Sequence, residues 1–299
     1  MNNTTDITNA LSIAAPAKIN LYLHVTGKRD DGYHLLDSLV AFAGVHDIIT
    51  IEPDSDLRLI NQGPFGVGLP ATTDNLVLRA AEQLRNLAGI VDGAQITLTK
   101  NLPIASGIGG GSADAAAAIK GLVRHWGIHP GHHDLSGLAL GLGADVPICL
   151  YGQAAFMGGI GEQIDPVYEL PEAPMVLVNP GVGVPTPAIF KARKAAFSPA
   201  NRFDDPPASL EDLIELLKNG RGNDLMEPAI QTEPIIGDVL KQIELTQGCQ
   251  LARMSGSGAT CFGFYSTQAE ADMAANEIKN AHPEWWSVAT RLVSDTRTL

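Results

Sequence analysis

Basic residues are scarce in this chain. Only 20 Lys and Arg stand against 33 Asp and Glu among 299 residues, for a formal charge of −13. Neutralising a nucleic-acid backbone takes clustered Lys and Arg, so the balance argues against broad RNA or DNA binding. An anionic membrane surface likewise finds little to attract. Aromatics make up only 5% of the chain, and cysteine is limited to Cys149, Cys249 and Cys261. An odd cysteine count with no CxxC pair suits buried thiols in a reducing compartment, not a disulfide framework or a zinc site. No apolar run reaches the roughly 18 residues of a spanning helix. The opening segment MNNTTDITNALSIAAPAKIN has neither a basic start nor a long apolar stretch, so no signal peptide is expected and the default location is cytoplasmic.

What is present is a globular composition: 45% hydrophobic residues and 31 glycines. That leaves ample material for a core. At roughly 150 residues per domain, the length suggests two domains or one large one. Glycine also bears on the charge problem, because backbone amides hold an anion without adding net charge.

Apolar and alternating runs over residues 19–25, 47–52 and 94–99 read as strands. Residues 75–88 carry apolar side chains at helical spacing, with Thr73 and Asp74 as candidate caps and Gly89 as the stop. Helices are also expected over 112–126 and 134–142. Prolines 166, 171, 174, 180, 185 and 187 crowd the stretch after Asp165, which argues against helix there and marks a domain junction near residues 160–175. Residues 198–209 read as disordered. Beyond them come helices over 210–217, 234–246 and 268–280 and a strand over 261–265. Strands and helices mix without a βαβ rhythm, so the class is α+β.

The sharpest local feature is the segment Leu102-Pro-Ile-Ala-Ser-Gly-Ile-Gly-Gly-Gly-Ser-Ala-Asp-Ala, with Gly107, Gly109, Gly110 and Gly111 between a strand and a helix that begins near Ser112. Helix starts leave N–H groups unpaired and carry partial positive charge. Glycines let the backbone approach an oxyanion closely, which makes the segment a phosphate cradle. A flexible turn before an alanine-rich packing helix is the competing reading, and the Gly-Gly-Gly-Ser run at the helix start favours the cradle. It is not a Walker A loop, since the Gly-Lys-Ser/Thr ending is missing, nor a dinucleotide fingerprint, since Ser112 stands where the last Gly belongs. A second loop, Ser255-Gly-Ser-Gly-Ala-Thr260, precedes the 261–265 strand. Alone it would fit a bend or bulge; two such loops in one chain point to a phosphorylated ligand.

Lys18, at the entrance of an apolar strand, is a candidate functional cation, although position alone favours a lysine snorkelling from a strand end. Asp145, in Gly143-Ala-Asp-Val-Pro147, is either an ionised carboxylate with a cation partner or a turn Asp before Pro147. Tyr33 and His34 set an aromatic ring beside an imidazole, suited to stacking on a base and bonding its edge, or simply to a surface turn. His132 and His133 read as solvated loop, and no Ser-His-Asp ordering or HExxH motif occurs.

Together these residues resemble the GHMP kinase superfamily. Pro16-Ala-Lys-Ile-Asn20, the Pro103–Ala118 glycine loop and Ser255–Thr260 match its three motifs in order. Residues 26–34, 143–147, 185–191 and Asn223-Asp-Leu are similar to the branch that acts on a cytidine diphosphate-linked methylerythritol, and the similarity spans nearly the whole chain. The resemblance implies an α+β fold with a ribosomal-S5-like N-terminal domain over 1–165 and a ferredoxin-like C-terminal domain over 166–299, the active site lying in the cleft between them. It implies transfer of the ATP γ-phosphoryl group to the 2-hydroxyl of that small-molecule substrate, with Mg²⁺ as the accompanying ion, in an isoprenoid-precursor pathway. It assigns Asp145 as base and Lys18 as its cation. Pro103, Ile104, Ala105, Ser106, Gly107, Ile108, Gly109, Gly110, Gly111 and Ser112 are assigned to ATP. Asn20, Thr186, Gly256, Ser257 and Gly258 go to the substrate, with Tyr33 and Phe190 sandwiching cytosine and His34 reading its edge. Ala113 stands where many relatives carry a second serine, so no protein residue is assigned to the metal. No nucleic acid or membrane partner is expected, and the chain is expected to be a monomer or homodimer. A non-catalytic RNA-binding protein remains the alternative from another class, since the S5-like fold also serves ribosomal proteins; the acidic charge and the presence of both Lys18 and Asp145 oppose it.

Overall fold

A computed structural model of the chain describes residues 10–167 and 169–299. The expectation of a leaderless N-terminus falls partly on residues 1–9, which lie outside the described residues. The first half runs β1 (Leu11–Lys28), β2 (His34–Glu52), β3 (Leu57–Gln62), α1 (Leu76–Ala88), β4 (Ala94–Thr99), α2 (Gly110–His125), α3 (His132–Leu142) and α4 (Val146–Tyr151). The second half continues β5 (Ala155–Gly159), β6 (Gln163–Pro166), β7 (Ala173–Asn179), α5 (Thr186–Ala192), α6 (Leu210–Lys218), α7 (Met226–Thr232), α8 (Ile235–Leu245), β8 (Leu251–Met254), β9 (Cys261–Phe264), α9 (Gln268–Ala281) and β10 (Trp286–Val293).

Residues group into two compact units that interleave along the chain. One holds the described residues through Ala15, with Asp47–Asn101 and Gly111–Leu150; the other holds Pro16–His46, Leu102–Gly110 and Tyr151–Leu299. In the first, the end of β2 pairs antiparallel with β4 (Ile48 opposite Thr99), and β4 pairs parallel with β3. Strand β4 shows period-2 burial, with Ala94, Ile96 and Leu98 inward and Gln95, Thr97 and Thr99 half-exposed. Helix α1 buries Val77, Leu78, Ala80, Ala81 and Leu84. Its cap is Asn75, whose side chain accepts from the Val77 N–H at 3.0 Å, so the expected caps Thr73 and Asp74 are corrected by one residue. Gly89 closes it at φ +64°, as expected.

In the second unit, the start of β2 pairs with β5 and with β10, and the order continues β10-β7-β9-β8. Strand β7 shows why its apolar run is continuous. Met175 and Leu177 face one core with Ile19, Leu21, Tyr22, Phe262 and Phe264. Val176 and Val178 face another with Ile236, Val239, Ile243 and Ile278. A strand buried on both faces alternates between two cores, so no polar face interrupts it.

Three expectations fall here. The proline-rich stretch carries both β7 and α5, because Pro185 and Pro187 occupy the cap and first turn of α5, where no N–H donor is needed. Residues 198–209 are pinned, not disordered: the Ser198 N–H donates to the Val25 carbonyl and the Arg202 guanidinium reaches Asp37 at 2.7 Å and Asp165 at 2.5 Å. His132 and His133 open α3 instead of lying in a loop.

Candidate active site

Strand geometry places Lys18 and Asn20, two residues apart, on one face of β1. Lys18 is not at the strand entrance but within it, and its exposure is 3%. A buried ammonium needs acceptors, and the Asn20 carboxamide oxygen is one, accepting from Lys18 Nζ at 2.8 Å. The snorkelling alternative is thereby removed.

Both glycine loops meet this strand. The Lys18 backbone N–H donates to the Ile108 carbonyl at 2.8 Å, and the Asn20 N–H donates to Ser255 Oγ at 3.1 Å. The loops also touch each other: the Thr260 N–H donates to the Ser106 carbonyl at 3.0 Å. A Cβ added at Gly107 would come within 2.4 Å of the Gly258 carbonyl oxygen, and one at Gly256 within 2.6 Å of the Gly107 carbonyl oxygen. In the first loop Pro103 and Ile108 are buried, Ile104 and Ala105 are exposed, and Ser106 Oγ–H donates to the Pro103 carbonyl at 2.7 Å. Ala105 holds φ +50°, a left-handed conformation uncommon outside glycine, and Gly107 and Gly109 hold +77° and +63°. Helix α2 starts at Gly110, two residues before the expected Ser112. The amides of Gly110, Gly111, Ser112 and Ala113 therefore form the first turn, where helical geometry supplies no acceptor. That gives uncharged donors for an anion.

The cytosine candidates gather at the start of β2. The His34 ring stacks on Phe190 of α5 with centroids 4.8 Å apart and planes 19° apart. Tyr33, in the turn before β2, is 59% exposed. Burial pushes the His34 pKa down, and the positive charges of Lys28 and Arg193 push it the same way. The imidazole is therefore neutral at pH 7, with one nitrogen donating and one accepting. Thr186 Oγ1 and Ser257 Oγ share a hydrogen bond of 2.8 Å. Asp145 belongs to the other compact unit, half-buried, where its carbonyl accepts the Cys149 N–H as the first bond of α4.

Three side chains outside the candidate set support the loops and Asn20, and the sequence points to only one of them. Asn223 Nδ2 donates to the carbonyls of Met254 and Gly256, both at 2.8 Å, and so fixes the second loop. Asn179 Nδ2 donates to Thr260 Oγ1 at 2.9 Å. Ser38 accepts from Asn20 Nδ2 at 2.8 Å. The Asn-Asp-Leu string flagged the first of these; nothing local flags the other two.

Two family models match this chain: the GHMP kinases N terminal domain over residues 75–153 and the GHMP kinases C terminal domain over residues 207–284. The chain belongs to the GHMP kinase family of small-molecule kinases. It is 52% identical to the 4-diphosphocytidyl-2-C-methyl-D-erythritol kinase of Paramagnetospirillum magneticum, covering 95% of this chain and 99% of that one. The kinase of the same name from Rhodospirillum rubrum is 50% identical, with 95% and 93% covered. A crystal structure of 4-(cytidine 5'-diphospho)-2C-methyl-D-erythritol kinase aligns with TM-score 0.80 at 35% identity, over 94% of this chain and 99% of the other. A homoserine kinase from Cytophaga hutchinsonii aligns with TM-score 0.73 at 17% identity over 99% and 98%, a likeness of fold alone. The α+β expectation and the family resemblance are both borne out.

Proposed function

We propose that the chain transfers the γ-phosphoryl group of ATP to the 2-hydroxyl of 4-diphosphocytidyl-2-C-methyl-D-erythritol, a step toward isoprenoid precursors. The observation that carries this reading is the near-full-length identity to kinases of that name, joined to a buried Lys18 hydrogen-bonded at the junction of both glycine loops. In this reading the family's two domains divide near residue 165, with the matched segments 75–153 and 207–284 one in each. The packing units cut the chain differently, since β1 and β2 each contribute to both. A cytoplasmic monomer or homodimer is the assembly we propose; among the described residues no helix is long and apolar enough to cross a membrane.

Phosphoryl transfer asks mainly for positioning and for stabilising charge on the migrating group. Residues 103–112 hold the ATP phosphates through backbone amides at the loop and the start of α2. Lys18 supplies positive charge, strengthened by burial because water no longer screens it. Asp145 orients the hydroxyl and accepts its proton late in the transfer. Asn20, Thr186 and the 256–258 loop contact the substrate. Tyr33 and Phe190 stack on cytosine while neutral His34 bonds its edge, offering a donor and an acceptor without a charge. Among the described residues no three His, Cys, Asp or Glu side chains group as an all-protein metal cage, and Mg²⁺ at phosphates does not require one. Mg²⁺ accompanying the nucleotide would neutralise phosphate charge, and no step is assigned to a protein-bound ion.

A coupled ADP-release assay over the cytidine-linked substrate, mevalonate, homoserine and galactose tests the proposal. Turnover is expected with the first alone, and equal rates with mevalonate or homoserine would sink the substrate assignment. Asp145→Asn should lower kcat about 10²- to 10⁴-fold while calorimetry shows the substrate still bound. Tyr33→Ala should raise KM for the cytidine-linked substrate and leave KM for ATP unchanged.

A further inference from the structure

Lys18 has its carboxamide partner in Asn20, and the orientation of that carboxamide is itself decided elsewhere. Ser38 lies on β2 with no exposed surface. Its Oγ lies 2.5 Å from the Tyr22 carbonyl and 2.8 Å from the Asn20 amide nitrogen. A carbonyl oxygen only accepts, so the Ser38 proton must point at Tyr22. Ser38 then has only lone pairs to offer Asn20, and the amide must present its NH₂ group there. Oδ1 is thereby turned to Lys18 Nζ, an ammonium that only donates. The flipped amide would set NH₂ against NH₃⁺ and an oxygen against a lone pair, both among buried residues. The backbone beneath this side chain is itself held, since the Asn20 N–H donates to Ser255 Oγ.

We infer that Ser38 is a positioning residue for phosphoryl transfer: through the Asn20 carboxamide it fixes where the Lys18 ammonium sits. The chain of polarity runs Tyr22 carbonyl, Ser38 hydroxyl, Asn20 carboxamide, Lys18 ammonium, and each link allows only one direction. This role deepens the kinase reading and rests on it. Asn20 accordingly serves the cation at one end of its amide, whatever it contacts in the substrate.

The test uses the full-length protein labelled with ¹⁵N-lysine, as wild type, Ser38→Ala and Ser38→Thr. The Lys18 ammonium should give a resolved side-chain cross-peak, identified by its loss in Lys18→Arg. Ser38→Ala should shift or broaden that peak and lower kcat about 10- to 100-fold, with KM for ATP within about twofold of wild type. Ser38→Thr, which keeps the hydroxyl, should restore both. A Ser38→Ala protein with wild-type spectrum and kcat overturns the inference. So does a loss of kcat without a change in the Lys18 peak, and so does equal loss in both variants with a lowered Tm, which would mark Ser38 as a packing residue. The spectra need no substrate. A wild-type protein inert toward the cytidine-linked alcohol would therefore defeat the substrate assignment and leave the relay to be judged on the Lys18 peak.

Discussion

Gly107 shows how little room the loop junction leaves. Its φ of +77° disfavours any L side chain, and a Cβ would come within 2.4 Å of the Gly258 carbonyl oxygen. Backbone cannot yield as a flexible side chain does, so Gly107→Ala should cost about 1–3 kcal/mol. Urea unfolding would measure that loss, and ADP release should show a raised KM for ATP. A variant with wild-type values in both would mean that the two loops separate freely. At this scale the sequence names residue types well and environments poorly. Glycine at 107 is legible as a turn or cradle, but not as a contact with residue 258. Lys18 reads from its neighbours as a strand-end lysine, yet it is buried within β1, because the strand extends back to Leu11.

At the scale of elements, one buried cluster ties three of them together. Lys100, just past β4, reaches Asp47 of β2 at 2.5 Å and Asp114 of α2 at 2.6 Å, and all three residues are buried. Both Asp47 oxygens are engaged, one by Lys100 and one by the Asn101 N–H at 2.5 Å. Asp114 Oδ1 has no partner. One ammonium offsets one carboxylate, so burial, with the nearby Asp47 charge adding to it, holds the Asp114 pKa well above the usual carboxylate range despite Lys100. An unfolded Asp ionises near pH 3.9. Between that value and the folded one, the native chain binds more protons, so rising pH erodes this group's contribution to stability. Asp114→Asn imitates the protonated form, and its Tm relative to wild type should therefore rise between about pH 5 and pH 8. A gap that stays constant over this range would mean that Asp114 is ionised throughout. The elements themselves were largely legible. The alternation of β4 marks its bounds to the residue, and the helical periodicity of α9 marks its end to within one. Alternation marks only the 47–52 end of β2, because Leu39–Ala43 is a continuous apolar run buried on both faces, and the partners of Asp37 and Ser38, namely Tyr22, Arg202 and Asn20, are known only once the strands pair.

For the whole molecule, a charge of −13 does not oppose the proposed phosphate chemistry, because the amides proposed as donors add no net charge and Lys18 is a single buried cation. The excess acid disfavours association with polyanions, since counterion release needs clustered Lys and Arg. Filter binding with structured RNA at low salt should show no retention, even at micromolar protein. Tight association would revive the RNA-binding alternative.

Local information settled a good part of this protein from the sequence alone. Hydrophobic periodicity marked most helices and strands, glycine runs marked both loops, and the three motifs in order marked the family. The tertiary structure alone decided that Ser106 bonds Thr260 and that Asn20 bonds Ser255 and Ser38. It also decided that Lys18 is buried and that Lys100 stands between two aspartates. Periodicity reports which face of an element is apolar, over a few turns or a few residues. Which polar group completes a buried donor depends on strands and loops brought together from distant positions, and that pairing follows from packing.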